Sequence, residues 1–145
     1  MGSTSDLTRA VLNYTHLSGV NFNAADLIGA NLNGANLTEA DFTYADLLGV
    51  YLYDADLNKA NLKNANLIGA ELRGADFTGA SLYDADLTRA DFTGANLTGA
   101  NLTRADLTGA DLRRVSNLSC SQLVKAANWA KSNRESELDC KKPKE

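Results

Sequence analysis

The sequence predicts an all-β solenoid, square in section, with about 20 residues to each coil, and three observations point to it. Every fifth position from Leu7 to Leu112 is Leu or Phe, 22 of 22. Two residues before each of these, 18 of 22 positions are Ala, the exceptions being Ser5, Thr15, Val20 and Val50. Asp or Asn commonly precedes the central residue and Gly often closes the repeat, and both are corner formers.

Other architectures fail on spacing. On an α-helix, residues five apart sit roughly 140° from one another, so the Leu residues would wind round every side and leave no apolar stripe. An ordinary strand alternates with period two, whereas here the inward positions run two apart, then three. A chain that bends once per repeat and closes after four satisfies two inward residues in every five. The repeats occupy residues 5–116, residues 1–4 are read as an expression scar and disordered start, and residues 117–145 as a C-terminal helical cap and tail.

The phrases "ADLIG", "ANLTE", "ADLLG", "ANLTG" and "ADLTG" resemble the pentapeptide-repeat family, whose pattern is A(D/N)LXX. The resemblance covers residues 5 to about 116 and implies a right-handed quadrilateral β-helix of about 5.5 coils. At roughly 4.8 Å between stacked strands, the rod would be about 26 Å long.

An open solenoid end needs a cap. The register breaks after Leu112, and "LSCSQLVKAANWAKSN" follows, with Ser119 and Gln122 in a capping-box pattern and Leu118 and Leu123 as its hydrophobic staple. A helix is expected from about 120 to 133, with Leu123, Ala126, Ala127 and Ala130 over the last coil and Trp129 as a lid residue. Cys120 and Cys140 bracket it, and the expected disulfide would close a 20-residue loop. Two free thiols or a metal pair are the alternatives, though no CxxC and no neighbouring His supports a zinc site. A disulfide implies an oxidising compartment. Lumenal members of the family in cyanobacteria and chloroplasts look similar in carrying a cysteine pair round a terminal helix, so a thylakoid lumen or periplasm is expected, with the cytoplasm as alternative. The tail "CKKPKE" reads as a solvated end. At the other end no cap is evident, and the coil at Leu7 to Leu17 suits either a monomer or a weak head-to-head dimer.

No stretch of 18 apolar residues occurs, so no transmembrane helix is expected. Net charge is −4, which argues against a direct nucleic-acid groove. The single His, His16, stands in the first coil with no recognisable partner. There is no Ser/His/Asp arrangement, phosphate loop or HExxH site, and the expectation is no catalytic, cofactor or metal residues.

Folding the chain every 20 residues places Asp6, Asp26, Asp46, Asn66, Asp86 and Asp106 in one column. Stacked carboxylates repel unless each accepts bonds from its own turn or shares a cation, which leaves turn capping and a calcium ladder as the two readings. On the same face, the position after the central Leu reads Thr8, Ile28, Leu48, Ile68, Thr88, Thr108. Ile28, Leu48 and Ile68 are read either as cross-coil β-like pairs or as a partner stripe. Tyr44, Tyr51, Tyr53 and Tyr83 fall on other faces.

The function expected is therefore a non-enzymatic structural or interaction scaffold for an unknown protein partner. A DNA-mimic regulator of an enzyme such as gyrase is the alternative that the family resemblance implies. Lys and Arg at 59, 63, 73, 89, 104, 113 and 114 count against it, and an Asp-pair hydrolase would need a sheltered cleft.

Overall fold

The computed structural model describes residues 5–134 and Cys140. The expected scar at residues 1–4 and the solvated tail past Cys140 lie outside the described residues. Parallel bridges join each residue of one column to the residue 20 further on, from Asp6 with Asp26 to Asn96 with Ser116. Each coil thus has four bridged segments and four turns. We number the faces by their first members: face one (6–9), face two (11–14), face three (16–19) and face four (21–24), each recurring every 20 residues.

The repeat follows from where five backbone N–H groups go, taking residues 26–30 as the example. Asp26 N–H donates back to Ser5 O at 2.9 Å, and Leu27 N–H forward to Asp46 O at 2.8 Å. Gly29 N–H donates forward to Leu48 O, and Ala30 N–H closes the turn on Leu27 O, both at 2.9 Å. Only Ile28 N–H is left without a backbone acceptor, and the Asp26 Oδ1 two residues earlier takes it at 3.2 Å. Buried backbone donors are rarely left unpaired, so the motif keeps Asp or Asn at that position. The stacked carboxylates are therefore turn caps in this structure. Where Tyr51 replaces the Asp or Asn, Asn33 Oδ1 of the preceding coil accepts from Tyr53 N–H instead, at 2.8 Å.

The fifth repeat position has positive φ throughout, whether held by Gly49 (φ 60°), Arg89 (φ 58°) or Tyr14 (φ 58°). A turn hydrogen bond with positive φ at its second central residue is the type II pattern, which favours Gly, although twelve of the 22 repeats here hold it with another residue. Inside, the central Leu and Phe residues and the Ala residues are buried from Phe22 through Leu112. Phe22 stacks on Phe42 with centroids 5.0 Å apart, and Phe77 meets Phe92 at 5.4 Å. In the first coil Leu7, Leu12, Leu17 and Val20 are only partly buried, as an open end requires.

The C-terminal cap departs from expectation. The capping box is present, with Ser119 N–H on Gln122 Oε1 at 3.0 Å and Gln122 N–H on Ser119 Oγ at 3.2 Å. The helix it starts, α1, spans only Cys120–Leu123, not 120–133. A short 3-10 turn follows at Trp129–Lys131. Between them the backbone pairs with the solenoid: Arg104 N–H donates to Lys125 O at 2.9 Å, Ala127 N–H to Ala105 O at 2.8 Å and Leu107 N–H to Ala127 O at 3.1 Å. Open edge groups of the last coil thus claim backbone that a helix would have used internally, and Asn128, at φ 53°, breaks the helical path. Leu118, Leu123, Ala126 and Trp129 are buried as a lid, while Ala127 and Ala130 are exposed, contrary to the helical pattern. Cys120 and Cys140 are joined by a disulfide that straps this segment down.

Candidate partner-binding face

Face one brings the acidic column and the aliphatic stripe together. Asp26, Asp46, Asp86 and Asp106 each accept the N–H two residues on through Oδ1, at 3.2, 3.2, 3.0 and 2.9 Å. Asn66 takes the same role for Ile68 N–H at 3.1 Å, and its Nδ2 donates to Asp46 Oδ1 at 2.9 Å, bridging neighbours in the column. Thr108 Oγ1 donates to Asp106 at 2.6 Å, and this bond, outweighing burial, holds the Asp106 carboxyl below its usual range. Each carboxylate is therefore held by its own turn and needs no cation for its local satisfaction. Among the described residues no cluster of His, Cys, Asp and Glu is arranged to hold a metal ion.

Beside that column, Ile28, Leu48 and Ile68 stand on three successive coils. Leu48 is 39% exposed and its two neighbours are half-buried. The corner before Leu48 carries Tyr44, 64% exposed, and the corner after it carries Tyr51, 43% exposed. These tyrosines lie on faces four and two, and the Tyr51 ring stands 6.4 Å from that of Tyr53 on face two. On the stripe's other side stand Gly29, Gly49 and Gly69, so this face alone has three successive glycines. A Cβ placed on Gly49 or Gly69 would meet nothing within 4 Å.

The other faces carry mostly polar residues at the position after the central Leu or Phe, although face two also exposes Val11 and Tyr14 at its open first coil. On face two, Tyr53 Oη donates to Glu71 Oε2 at 2.9 Å; burial, then the carboxylate, raises its phenol above the ordinary value. Next along that face Arg73 pairs with Asp91 at 2.6 Å and Arg113 with Asp111 at 2.6 Å. On face four, Arg104 pairs with Asp84 at 2.9 Å and lies 5.7 Å from the Tyr83 ring centre. Such exposed pairs contribute at most about 1 kcal/mol each and orient a surface more than they stabilise it. His16 is exposed in the open first coil.

A 20-residue coil with four bridges, Asx-capped turns and a Leu/Ala interior is the geometry of one known family. Its model, described as pentapeptide repeats, matches in eight copies over residues 5–43, 21–58, 45–82, 55–94 and 80–126. The chain belongs to the pentapeptide-repeat family. Pentapeptide-repeat proteins fold as right-handed quadrilateral β-helices. Similar solved structures include HetL, a pentapeptide-repeat protein involved in heterocyst differentiation regulation in the cyanobacterium Nostoc, 33% identical. That match covers 77% of this chain but only 57% of HetL, with a TM-score of 0.49. QnrB1, a plasmid-mediated fluoroquinolone resistance protein, is 18% identical over 91% of this chain and 68% of its own, with a TM-score of 0.71, a likeness of fold alone. A pentapeptide-repeat protein from the Arabidopsis thaliana thylakoid lumen is 35% identical over 78% of this chain and 74% of its own, with a TM-score of 0.42. A search of curated proteins returns no match. No helix among the described residues is long and apolar enough to cross a membrane.

Proposed function

We propose that this pentapeptide-repeat protein is a non-catalytic scaffold that docks a protein partner on face one. The observation that carries the reading is the Ile28, Leu48 and Ile68 stripe, a solvent-facing apolar column on a rod whose corresponding columns elsewhere are largely polar. A rigid solenoid presents such a column without rearranging, which lowers the entropic cost of association. The disulfide supports residence in an oxidising compartment such as a thylakoid lumen or periplasm, because reducing cytosol does not sustain structural disulfides. The open first coil is proposed as a weak head-to-head contact between copies, and a monomer mass in concentrated sedimentation runs would exclude it.

The duplex-mimic reading has less support. From Lys59 through residue 116 seven Lys and Arg match seven Asp and Glu, so the rod does not present the uniform anionic surface that DNA mimicry requires. Replacing Ile28, Leu48 and Ile68 together by Thr, the residue that Thr8, Thr88 and Thr108 already place in that column, tests the docking reading. The triple variant should fold with an unchanged circular-dichroism spectrum and lose the partner captured by the unaltered protein. Capture at an undiminished level would show that the stripe is not the docking surface.

A further inference from the structure

We infer that face one takes a basic amphipathic helix of a partner protein, about three to four turns long, laid along the rod axis. This rests on the reading of face one as the docking surface and adds the chemistry of what docks.

Spacing selects the helix. Adjacent coils lie about 4.8 Å apart, so Ile28 to Ile68 spans about 10 Å. Helix residues at i, i+3 or i+4, and i+7 cover about 10.5 Å, whereas three same-side residues of an extended strand cover about 13 Å. A helix therefore matches all three aliphatics, and a strand loses register by the third. The glycine column gives it room: at Gly49 and Gly69, where even an added Cβ would meet nothing within 4 Å, the helix can settle against backbone beside the stripe, while the Arg9 side chain lies against Gly29. Length is set by the same column, which carries Arg9 and Arg89 at its two ends, with the Arg9 Cγ 3.6 Å from where a Gly29 Cβ would stand. Four coil steps separate the two arginines, about 19 Å, which a helix of about 13 residues fills.

Charge selects the sign. Between those arginines the glycine shelf and stripe are flanked by Asp26 and Asp46, and face one has no Lys or Arg from residue 26 through residue 69. The whole chain before Lys59 has Arg9 as its one Lys or Arg against seven carboxylates. The hydrogen bonds to Asp26 and Asp46 fall on Oδ1, which leaves the second carboxylate oxygen of each for an incoming cation. A second copy of this chain would bring like-charged faces together, while Lys or Arg along one flank of a helix would complement them.

The probe is a helical Ala-based peptide of about 14 residues with Leu at i, i+4 and i+7 and Lys along one flank, compared with a peptide carrying Glu at the Lys positions. Titration followed by amide NMR should shift the Gly29, Gly49 and Gly69 signals, with the Lys peptide binding at least about tenfold more tightly and losing affinity as salt rises. Two substitutions borrow residues the repeat already uses. Gly49→Arg places in open space the residue that Arg9 and Arg89 hold at φ 55° and 58°, and it should abolish binding while leaving the melting temperature within a few degrees. Asp26→Asn with Asp46→Asn keeps the turn caps, as Asn66 does, and should flatten the salt dependence. Equal binding of the Lys and Glu peptides at those glycines would overturn the basic partner while keeping the docking face. Shifts confined to other faces, no binding by either peptide, or binding indifferent to Gly49→Arg would overturn the helix.

Discussion

Gln122 Nε2 donates to the carbonyls of both Leu97, at 2.8 Å, and Ala100, at 3.0 Å, so one side chain covers two acceptors at the end of the last complete coil. Its Oε1 meanwhile accepts from Ser119 N–H at 3.0 Å. A residue readable in the sequence as half of a capping box thus also seals the solenoid.

Two substitutions at this position separate the roles. Gln122→Glu keeps an acceptor for Ser119 but has no N–H for Leu97 and Ala100, and it sets a carboxylate against two carbonyls. It should cost about 2 to 3 kcal/mol, more than Gln122→Ala at about 1 to 2 kcal/mol, in denaturant unfolding. A near-neutral Gln122→Glu beside a costly Gln122→Ala would mean that the helix cap, and not the seal, is what Gln122 supplies.

Opening the Cys120–Cys140 disulfide, by reduction or by paired Ser substitution, should remove about 3 kcal/mol, the chain-entropy value for a loop of this length. Repeat proteins couple chiefly to nearest neighbours, so the loss should be local. Hydrogen exchange should quicken at Leu107 and Leu112, whose N–H groups donate to Ala127 O and Asn133 O, and stay unchanged at Leu47 and Leu52 in the middle of the rod.

Much of this architecture is legible because one strict period encodes it: a Leu every five residues with Ala two before it admits no other element. The Asp column is equally readable once the orphaned N–H of the following turn residue is counted. The length of α1 is not, because the competitor for its backbone is the open edge of the last coil, a partner about 20 residues away that local propensity does not register. Ile28, Leu48 and Ile68 emerge from folding the sequence by 20, yet the glycine shelf beside them does not, since Gly reads locally as a turn former. In the structure Arg and Tyr hold the same left-handed backbone, and glycine there acts through the space it leaves.

Tyr14 and Gly34 show that effect across coils. A Cβ on Gly34 would stand 2.5 Å from the Tyr14 ring, whereas one on Gly49 would meet nothing within 4 Å. Both glycines have positive φ, so Gly→Ala carries a similar backbone cost, about 1 kcal/mol, at each. Gly34→Ala should cost more than Gly49→Ala by about 0.5 to 1 kcal/mol as the exposed ring is displaced, and Tyr14→Ala should erase the difference. A difference that persists without the ring would place the strain in the backbone.

Acid should weaken the fold through its turn caps. Asp106 is held low by Thr108 against the opposing effect of burial, and Asp111 is held low by Arg113. For Asp76 and Asp91 burial acts to raise the carboxyl, but bonds from Thr78 and from Thr93, joined by Arg73 at Asp91, leave both lowered. A carboxyl depressed in the folded state stabilises above its unfolded value, near 3.9, and that contribution disappears as pH falls through the folded value. Asp106→Asn, which keeps an Oδ1 acceptor for Thr108 N–H, should therefore lower the melting temperature at neutral pH and match the unaltered protein at a pH of about 2. A gap that stays constant across this range would show that the carboxylate's ionisation is not what the turn uses.

The central claim is that this rod works through one face. Photo-crosslinking in a native lumenal or periplasmic extract tests it directly, with a benzophenone amino acid placed at Leu48 on face one or at Thr78 on the opposite face three. Both are turn residues, but the label at position 78 also removes the Thr78 side-chain bonds to Asp76 and Asn96, so crosslinking is compared only after equal melting temperatures are established for the two variants. A discrete crosslinked partner from position 48 and none from position 78 is the predicted result. The same partner from both positions, or from position 78 alone, would contradict a docking surface on Ile28, Leu48 and Ile68.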